Sequence, residues 1–368
     1  MARLSAGVRK RTDGTLEKRF TVNGIRYSIY GKTNKELQEK EHETRARIES
    51  GTYKNNRNVT LDNYFKEWID NKQADTKGNS LYTYSKIYKC HISQALGKRK
   101  IIDIERREIL KLQKDLINTV APSTCNYIIT VLKIILSDAV KDEIITRNPA
   151  NAIKSIKQEE KASESIHRAL TEQEQMLFMQ EAKEEYYYEL FAFMLCTGVR
   201  VGEAGALTWQ DIDYKNNVIH INKTITYTKD GKIGTGTPKS DAGKRDIPLN
   251  DTIKQILKSQ KAKYGNIYPI GSSNIFLTLY GKLIRSAAVN NVINGILSRI
   301  EDKGTHIEHF TAHALRDTFA TRYIEQGGSP QTLKTILGHS SLSMTMDLYA
   351  HVLPNTKQEE MQKINILI

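Results

Sequence analysis

Hydrophobic and polar positions change period along this chain, and the changes mark its parts. Near the start they alternate: Phe20 and Val22 share one face, and Ile25, Tyr27 and Ile29 share one face of the next run. The opposite face shows Arg19, Thr21, Arg26 and Ser28, polar and basic. Asp13-Gly14 and Asn23-Gly24 separate the runs, and hairpin turns of this kind need the positive φ that such dipeptides supply. Three short strands are therefore expected. Thr33-Asn34-Lys35-Glu36 fits a capping box, so a charged helix should follow to about Glu49. Such a unit of about 50 residues is marginally stable alone.

Beyond a polar stretch at residues 51–59, the period becomes helical. Helices are expected near Leu61–Asn71, Ser80–Leu96, Arg106–Asn118 and Ser123–Glu143. The last is strongly amphipathic through Tyr127, Ile128, Val131, Leu132, Ile135 and Leu136, with Asn148-Pro149 as its stop. Four helices imply a compact bundle. Lys154–Arg168 is charged, lacks apolar periodicity and reads as a linker. A third region opens on a second capping box, Thr171-Glu172-Gln173-Glu174, with helices to about Cys196. Strands are expected at Val218–Ile221, Thr224–Thr228 and Arg245–Leu249, with another near Ile275–Leu277. Helices fill the rest from Asp251 on; Ser329-Pro330 opens a late one and Gly338 ends it. The expected fold class is multidomain α+β. It has three domains: a three-stranded sheet plus helix over 1–55, a helical bundle over 59–155, and a mostly helical domain with a small antiparallel sheet over 165–368.

Composition narrows the class. The 368 residues are 39% apolar and 26% charged, as in globular chains. No uninterrupted apolar run approaches the roughly 18 residues of a membrane span. Met1-Ala2-Arg3-Leu4 lacks the apolar core of a secretory signal. Cys90, Cys125 and Cys196 are far apart and form no CxxC pair, which argues against a disulfide framework or zinc site. The expectation is a cytoplasmic protein needing no metal or cofactor. Charge adds more. Lys plus Arg number 55 against 42 acidic residues, a net of +13. Residues 1–60 hold 14 basic and 7 acidic side chains, residues 61–155 hold 16 and 11, and the remainder 25 and 24. The excess is N-terminal, which suggests a polyanion partner such as nucleic acid; solvated surface charge is the plain alternative. Lys18, Arg19 and Arg26 are candidate DNA contacts on the N-terminal sheet.

Four signals in the third region carry chemistry: Thr197-Gly198-Val199-Arg200-Val201-Gly202-Glu203, Thr237-Pro238-Lys239-Ser240, His313-Ala314-Leu315-Arg316, and Leu337-Gly338-His339 with Tyr349 ten positions later. Each has an ordinary explanation alone. Arg200 and Glu203 could form a helix ion pair, Lys239 could be a turn lysine, His313 and Arg316 a surface pair, and Tyr349 one of 18 tyrosines that pack. Their order and spacing together are hard to obtain by chance. The set resembles the tyrosine recombinases, the site-specific DNA recombinases that include integrases of temperate phages and conjugative transposons. That family's motif runs Arg, Lys in a β-hairpin, His-x-x-Arg, Gly-His, Tyr. It matches Arg200, Lys239, His313 to Arg316, Gly338-His339 and Tyr349. Lys244 lies on the same expected hairpin, so the lysine match is the least specific. The resemblance spans residue 60 to the end, and the N-terminal segment looks like an arm-binding domain.

What the resemblance implies is chemically coherent. Attack on a phosphodiester builds charge on the non-bridging oxygens, and two guanidinium forks suit that charge. Arg200 and Arg316 would fill this role, with Glu203 orienting Arg200 or its helix. Tyr349 would be the nucleophile, leaving a 3′-phosphotyrosine. Lys239 would protonate the departing 5′-hydroxyl, His313 would assist as a base, and His339 would hydrogen-bond the phosphate. The covalent linkage conserves bond energy, in keeping with the lack of a GxxxxGK[ST] loop. Lys244 would contact DNA. The implied partners are double-stranded attachment sites, further copies in a homotetramer, an excisionase and a DNA-bending protein, with no membrane role. A DNA-binding module with a silent catalytic fold is the competing class, and a type IB topoisomerase would share the core chemistry.

Overall fold

A computed structural model describes residues 7–10, 14–22, 24–50, 58–157, 168–238, 240–264, 273–343, 345, 346 and 348. Contacts divide the chain into two units, Met1–Trp68 with Cys90–Ser155 and Ile69–Lys89 with Ile156–Ile368.

The first unit begins with an antiparallel sheet of β1 (Val8–Lys10), β2 (Leu16–Val22) and β3 (Ile25–Gly31), in that order. Val22 pairs with Ile25, and Gly24, between the two strands, takes the positive φ of +78° that such a turn needs. Asn23 itself lies outside the described residues. The helix α1 (Asn34–Glu49) covers one sheet face: Leu16, Phe20, Tyr27, Ile29 and Leu37 form the core, with Phe20 stacked on Tyr27. Thr33 Oγ1 accepts from the Glu36 amide, but the Glu36 carboxylate turns to the Lys32 amide, so half of the expected capping box forms. Arg19 is exposed as expected, beside the Glu17 carboxylate at 2.8 Å. Lys18 is placed differently from Arg19. Strand alternation turns it toward α1, where its ammonium lies 2.6 Å from Glu41. Arg26 stands opposite Thr21 on β3, and its side chain lies outside the described ones.

The helices of the bundle follow the 3.6 period closely. They are α2 (Leu61–Asn71), α4 (Arg106–Ile117) and α5 (Pro122–Lys141); α3 (Gly78–Ile87), expected in the same bundle, falls in the second unit, where it packs on the strand Thr224–Tyr227. The expected helix to Leu96 is not uniform: after Ile87 the turns widen into a π-helix over Tyr88–Gly97, in which Tyr88, Ile92 and Leu96 are buried. In α5, nine buried residues face the interior. This helix is also long and apolar enough by composition to cross a membrane. It stops at Lys141, two residues before the expected Glu143 and ahead of Asn148-Pro149. Glu143 turns left-handed, at φ 57°, and the Ile144 amide returns to Ala139 O. Asn148 instead donates to Lys133 O and Ser137 Oγ. Two polar pairs cross the unit: Tyr64 donates to Asp142 at 2.6 Å, and the Trp68 indole donates to Asp138 at 2.8 Å. Burial, then the Asp142 bond, pushes the Tyr64 phenol above its ordinary value.

In the second unit, Thr171 and Glu174 form the full capping box of α6 (Glu172–Glu181). Then come α7 (Tyr188–Thr197), α8 (Val201–Ala206), α9 (Asp251–Tyr264), α10 (Ser286–Asp302), α11 (Ala312–Glu325) and α12 (Pro330–Leu337). The antiparallel sheet has the order β4 (Ile212–Asp213), β5 (Val218–Ile221), β8 (Arg245–Pro248); β6 (Thr224–Tyr227) and β7 (Ile233–Gly236) form a separate hairpin. Both β4, two residues long, and β7, Ile-Gly-Thr-Gly, lack an alternating pattern, which is why the sequence did not reveal them. Ile275–Leu277 is not a strand. All three of its residues are buried, and one bridge, Thr208 to Asn274, with the Ile275 amide on Leu207 O, holds the segment. The core centres on α7, where Phe191 and Phe193 meet Phe178 and Phe276.

The Trp68–Asp138 pair supplies a test of the bundle. Asp138→Ala leaves a buried indole N–H without its acceptor, a cost of roughly 1–3 kcal/mol. A matching drop in the urea midpoint of the full chain, followed by circular dichroism, is the expected result.

Candidate active site

The site grows from the end of α7. Its last residue is followed by Gly198 in the left-handed region, at φ +65°, where a Cβ would fall 2.4 Å from Phe319 Cδ1. Only glycine fits that exit, and it sends the chain straight into the start of α8. Arg200 is the N-cap of α8 and Glu203 its third residue. The Glu203 carboxylate, buried with its side chain 3% exposed, reaches back: Oε2 accepts from the Arg200 amide at 3.0 Å and Oε1 from Arg200 Nη1 at 2.9 Å. Oε2 also accepts from Arg245 Nη2 at 2.8 Å. Burial pushes this carboxyl up. The Arg245 bond and the charges of Arg245 and Arg200 outweigh that, so it stays ionised below the usual carboxylate value.

Arg245 was not among the site residues read from the sequence. It opens β8, and strand alternation turns Arg245, Ile247 and Leu249 inward. An arginine at an inward strand position was the available signal. Its guanidinium bonds Glu203, Gly243 O and Ile336 O, the last near the end of α12. Just beyond, Gly338 takes φ +69°, and a Cβ there would fall 2.7 Å from Ala242 O. One buried side chain thus ties β8, α8 and the end of α12 together.

Arg316 sits on α11, 2% exposed. It donates to Gly198 O and to Leu337 O, both at 2.7 Å. Segments more than a hundred residues apart in sequence therefore meet on one guanidinium. Burial, then the neighbouring charges of Arg200 and Arg245, pushes its pKa down to about 9. It remains a cation at neutral pH, in surroundings that favour an added anion. His313 shares α11 but not the burial. Its side chain is half exposed, with Nε2 3.9 Å from buried Asp317. His339 follows the αL exit of α12; its Nδ1 lies 3.0 Å from Thr345 Oγ1.

The structure therefore brings together Arg200, Glu203, Arg316 and the Gly338-His339 segment. Lys244 is exposed, at the end of a short turn before β8. Lys239 and Tyr349 lie outside the described residues. Up to Leu348 the chain packs on its own domain: Leu348 is buried with Ala320, Ile324, Leu333 and Leu337. Chemically, the cluster is an anion cradle. Three guanidinium groups face two buried carboxylates, Glu203 and Asp317. Among the described residues, no group of His, Cys, Asp and Glu could hold a metal ion.

Comparison with known proteins gives this arrangement its family. Residues 168–356 match the phage integrase family, and residues 60–117 match the N-terminal SAM-like domain of phage integrases. The chain belongs to the phage integrase family. It is 30% identical over 263 residues to the transposase of transposon Tn916 from Enterococcus faecalis, covering 67% of this chain and 63% of that protein. It is 27% identical to the ICEBs1 integrase of Bacillus subtilis over 95% of this chain and 94% of that one. In fold it is similar to the Tn1549 transposon integrase, solved with a circular intermediate DNA. The TM-score there is 0.68 at 22% identity, over 83% of this chain and all of that one. A lambda integrase dimer on a core site aligns with a TM-score of 0.61 at 20% identity, over 95% and 96%. These likenesses support the multidomain α+β class read from the sequence.

Glu203 generates the second prediction. Glu203→Gln keeps the shape but leaves Arg200 and Arg245 without their shared carboxylate, costing roughly 3–5 kcal/mol. Arg245→Met in the same chain should restore part of the loss. Because the folded carboxyl titrates below its unfolded value of about 4.3, its stabilisation is full above that pH and fades as the pH falls through the folded value. Urea midpoints measured from pH 7 to pH 3 should converge between wild type and Glu203→Gln at the acid end.

Proposed function

We propose that the chain is a site-specific DNA recombinase, an integrase that cuts and rejoins strands through Tyr349. The observation that carries this reading is the Arg316 guanidinium bound to Gly198 O and Leu337 O. It gathers the Arg200 turn, α11 and the Gly338-His339 turn around one cationic pocket. Such a pocket suits a phosphodiester, and no ordinary packing demand calls for two buried guanidiniums beside a third, half-exposed one.

The reaction follows from the roles assigned to each group. Arg200 and Arg316 bind the non-bridging oxygens and stabilise the charge that grows there. The Tyr349 oxygen attacks phosphorus, with His313 accepting its proton. The bond to the 5′-oxygen breaks, a 3′-phosphotyrosine forms, and Lys239 protonates the departing 5′-oxygen to give a 5′-hydroxyl. A 5′-hydroxyl from a second strand then reverses the steps. His339 donates a hydrogen bond to the phosphate. Glu203 and Arg245 touch no substrate; they hold Arg200 and the end of α12.

In the same reading, residues 1–55 are an arm-type DNA-binding domain, 59–155 a core-binding domain and 165–368 the catalytic domain. Arg19 and Arg26, with Lys244 near the active site, contact DNA. Lys18 retains a smaller part, because Glu41 already neutralises its charge. Four copies act on two duplexes in the bacterial cytoplasm, with an excisionase and a bending protein setting direction. The mobile element supplies the attachment sites.

Two outcomes test this. Tyr349→Phe removes one oxygen, so DNA binding should persist while covalent protein–DNA adducts vanish from denaturing gels. Adducts retained in that variant would end the assignment. Removing residues 1–55 should leave adduct formation at the crossover site. It should also erase footprints at distal sites and lower the salt dependence of binding, because fewer phosphates are neutralised. Identical footprints for the two proteins would count against a separate DNA reader.

A further inference from the structure

His339 is held at two points. Its amide donates to Lys334 O at 3.2 Å, in the last turn of α12, and its Nδ1 lies 3.0 Å from Thr345 Oγ1. Thr345 is fully buried. Its amide donates to Leu342 O, and Leu348, three residues on, anchors the segment in the cluster against α11 and α12. The hydroxyl is therefore fixed by packing, and a buried hydroxyl needs hydrogen-bond partners. Valine would fill the same space without one.

A neutral imidazole carries one donor and one acceptor nitrogen, so the partner at Nδ1 decides what Nε2 is. If the threonine hydroxyl donates to Nδ1, the ring proton sits on Nε2, an N–H able to meet a phosphate oxygen. The opposite tautomer would turn a lone pair toward the anion and repel it. We propose that Thr345 is a positioning residue whose buried hydroxyl donates to Nδ1 of His339 and holds the ring in its Nε2–H form for the phosphate. The inference rests on the phosphodiester reading given above. Thr345 precedes Tyr349 by four residues, so the stretch leading to the nucleophile also sets the tautomer of the histidine.

The test uses the full chain as Thr345→Val, Thr345→Ser and His339→Ala, singly and combined. Each is followed for adduct formation on a nicked duplex carrying the element's own end. Thr345→Val should bind that duplex as wild type does and cleave about tenfold more slowly, the worth of one oriented hydrogen bond. Thr345→Ser should recover the rate. In the His339→Ala background, Thr345→Val should have no further effect, whereas a purely structural threonine would cost the same in both backgrounds. Nitrogen NMR of labelled histidine, without DNA, should show His339 protonated at Nε2 in wild type. A proton on Nδ1, an undiminished rate in Thr345→Val, or additive losses would overturn the proposal. If wild type forms no adduct at all, the recombinase reading fails instead, and the NMR result still decides the tautomer.

Discussion

The Glu203 carboxylate is the contact on which the site depends. It is buried, and it stays charged because Arg245 and Arg200 surround it. A buried carboxylate is costly without such partners, and the buried guanidinium of Arg245 is costly without it. Each makes the others tolerable, so the three are fixed as a unit. The unit in turn fixes geometry: Arg200 is set at the start of α8 and Arg245 at the end of α12. Arg316 completes the frame from α11 by binding the carbonyls on either side. Position here comes from charge balance and hydrogen bonds, with the aromatic core around α7 as the rigid support beneath.

That balance is deliberately incomplete. A cluster tuned for stability alone would match each guanidinium with a carboxylate. Here three guanidiniums, two buried and the Arg200 one partly exposed, stand beside two buried carboxylates, and the Arg316 pKa is pushed down by burial and by its cationic neighbours. Arginine suits such a place better than lysine, because its pKa starts high enough to keep its charge when buried and its planar fork holds orientation. The same logic explains the exposure difference along α11. Arg316 is buried and built into the frame, while His313 remains at the surface where a substrate could reach it.

Much of this was legible in the sequence, for reasons that differ by element. Strong periodicity placed α2, α4 and α5 within a residue or two of their observed starts, and the Asn23-Gly24 turn fixed the register of β2 and β3. The glycine exit after α12 was legible because left-handed turns demand glycine; the one after α7, at Gly198, was not read. Other features carried no local signal. The Gly-rich β7 and the two-residue β4 exist through pairing with neighbours. The π-helical turns after Ile87 break the 3.6 period that the reading assumed. In the site, Arg200, Glu203, Arg316 and His339 came from their motif. Arg245 and Thr345 did not, since what matters in each is a partner far away or a burial that composition does not print. Lys18 shows the converse: a basic residue in a basic segment was read as a DNA contact, yet alternation turned it toward α1 and Glu41.

The positive charge of the chain therefore does two different things. In the N-terminal unit it is plentiful and mostly exposed, and part of it is already answered by Glu17 and Glu41. Charge of that kind attracts a polyanion at long range and is weakened by salt. Beyond residue 155 the net charge is nearly zero by sequence count, with 25 basic and 24 acidic residues. Yet the cations that matter there are buried beside one another, where screening by salt is slight and geometry is fixed. Net charge located the first kind and was blind to the second. A count of charges reports attraction; the burial of Arg316 and Arg245, and the single carboxylate shared by Arg200 and Arg245, report where chemistry can be done.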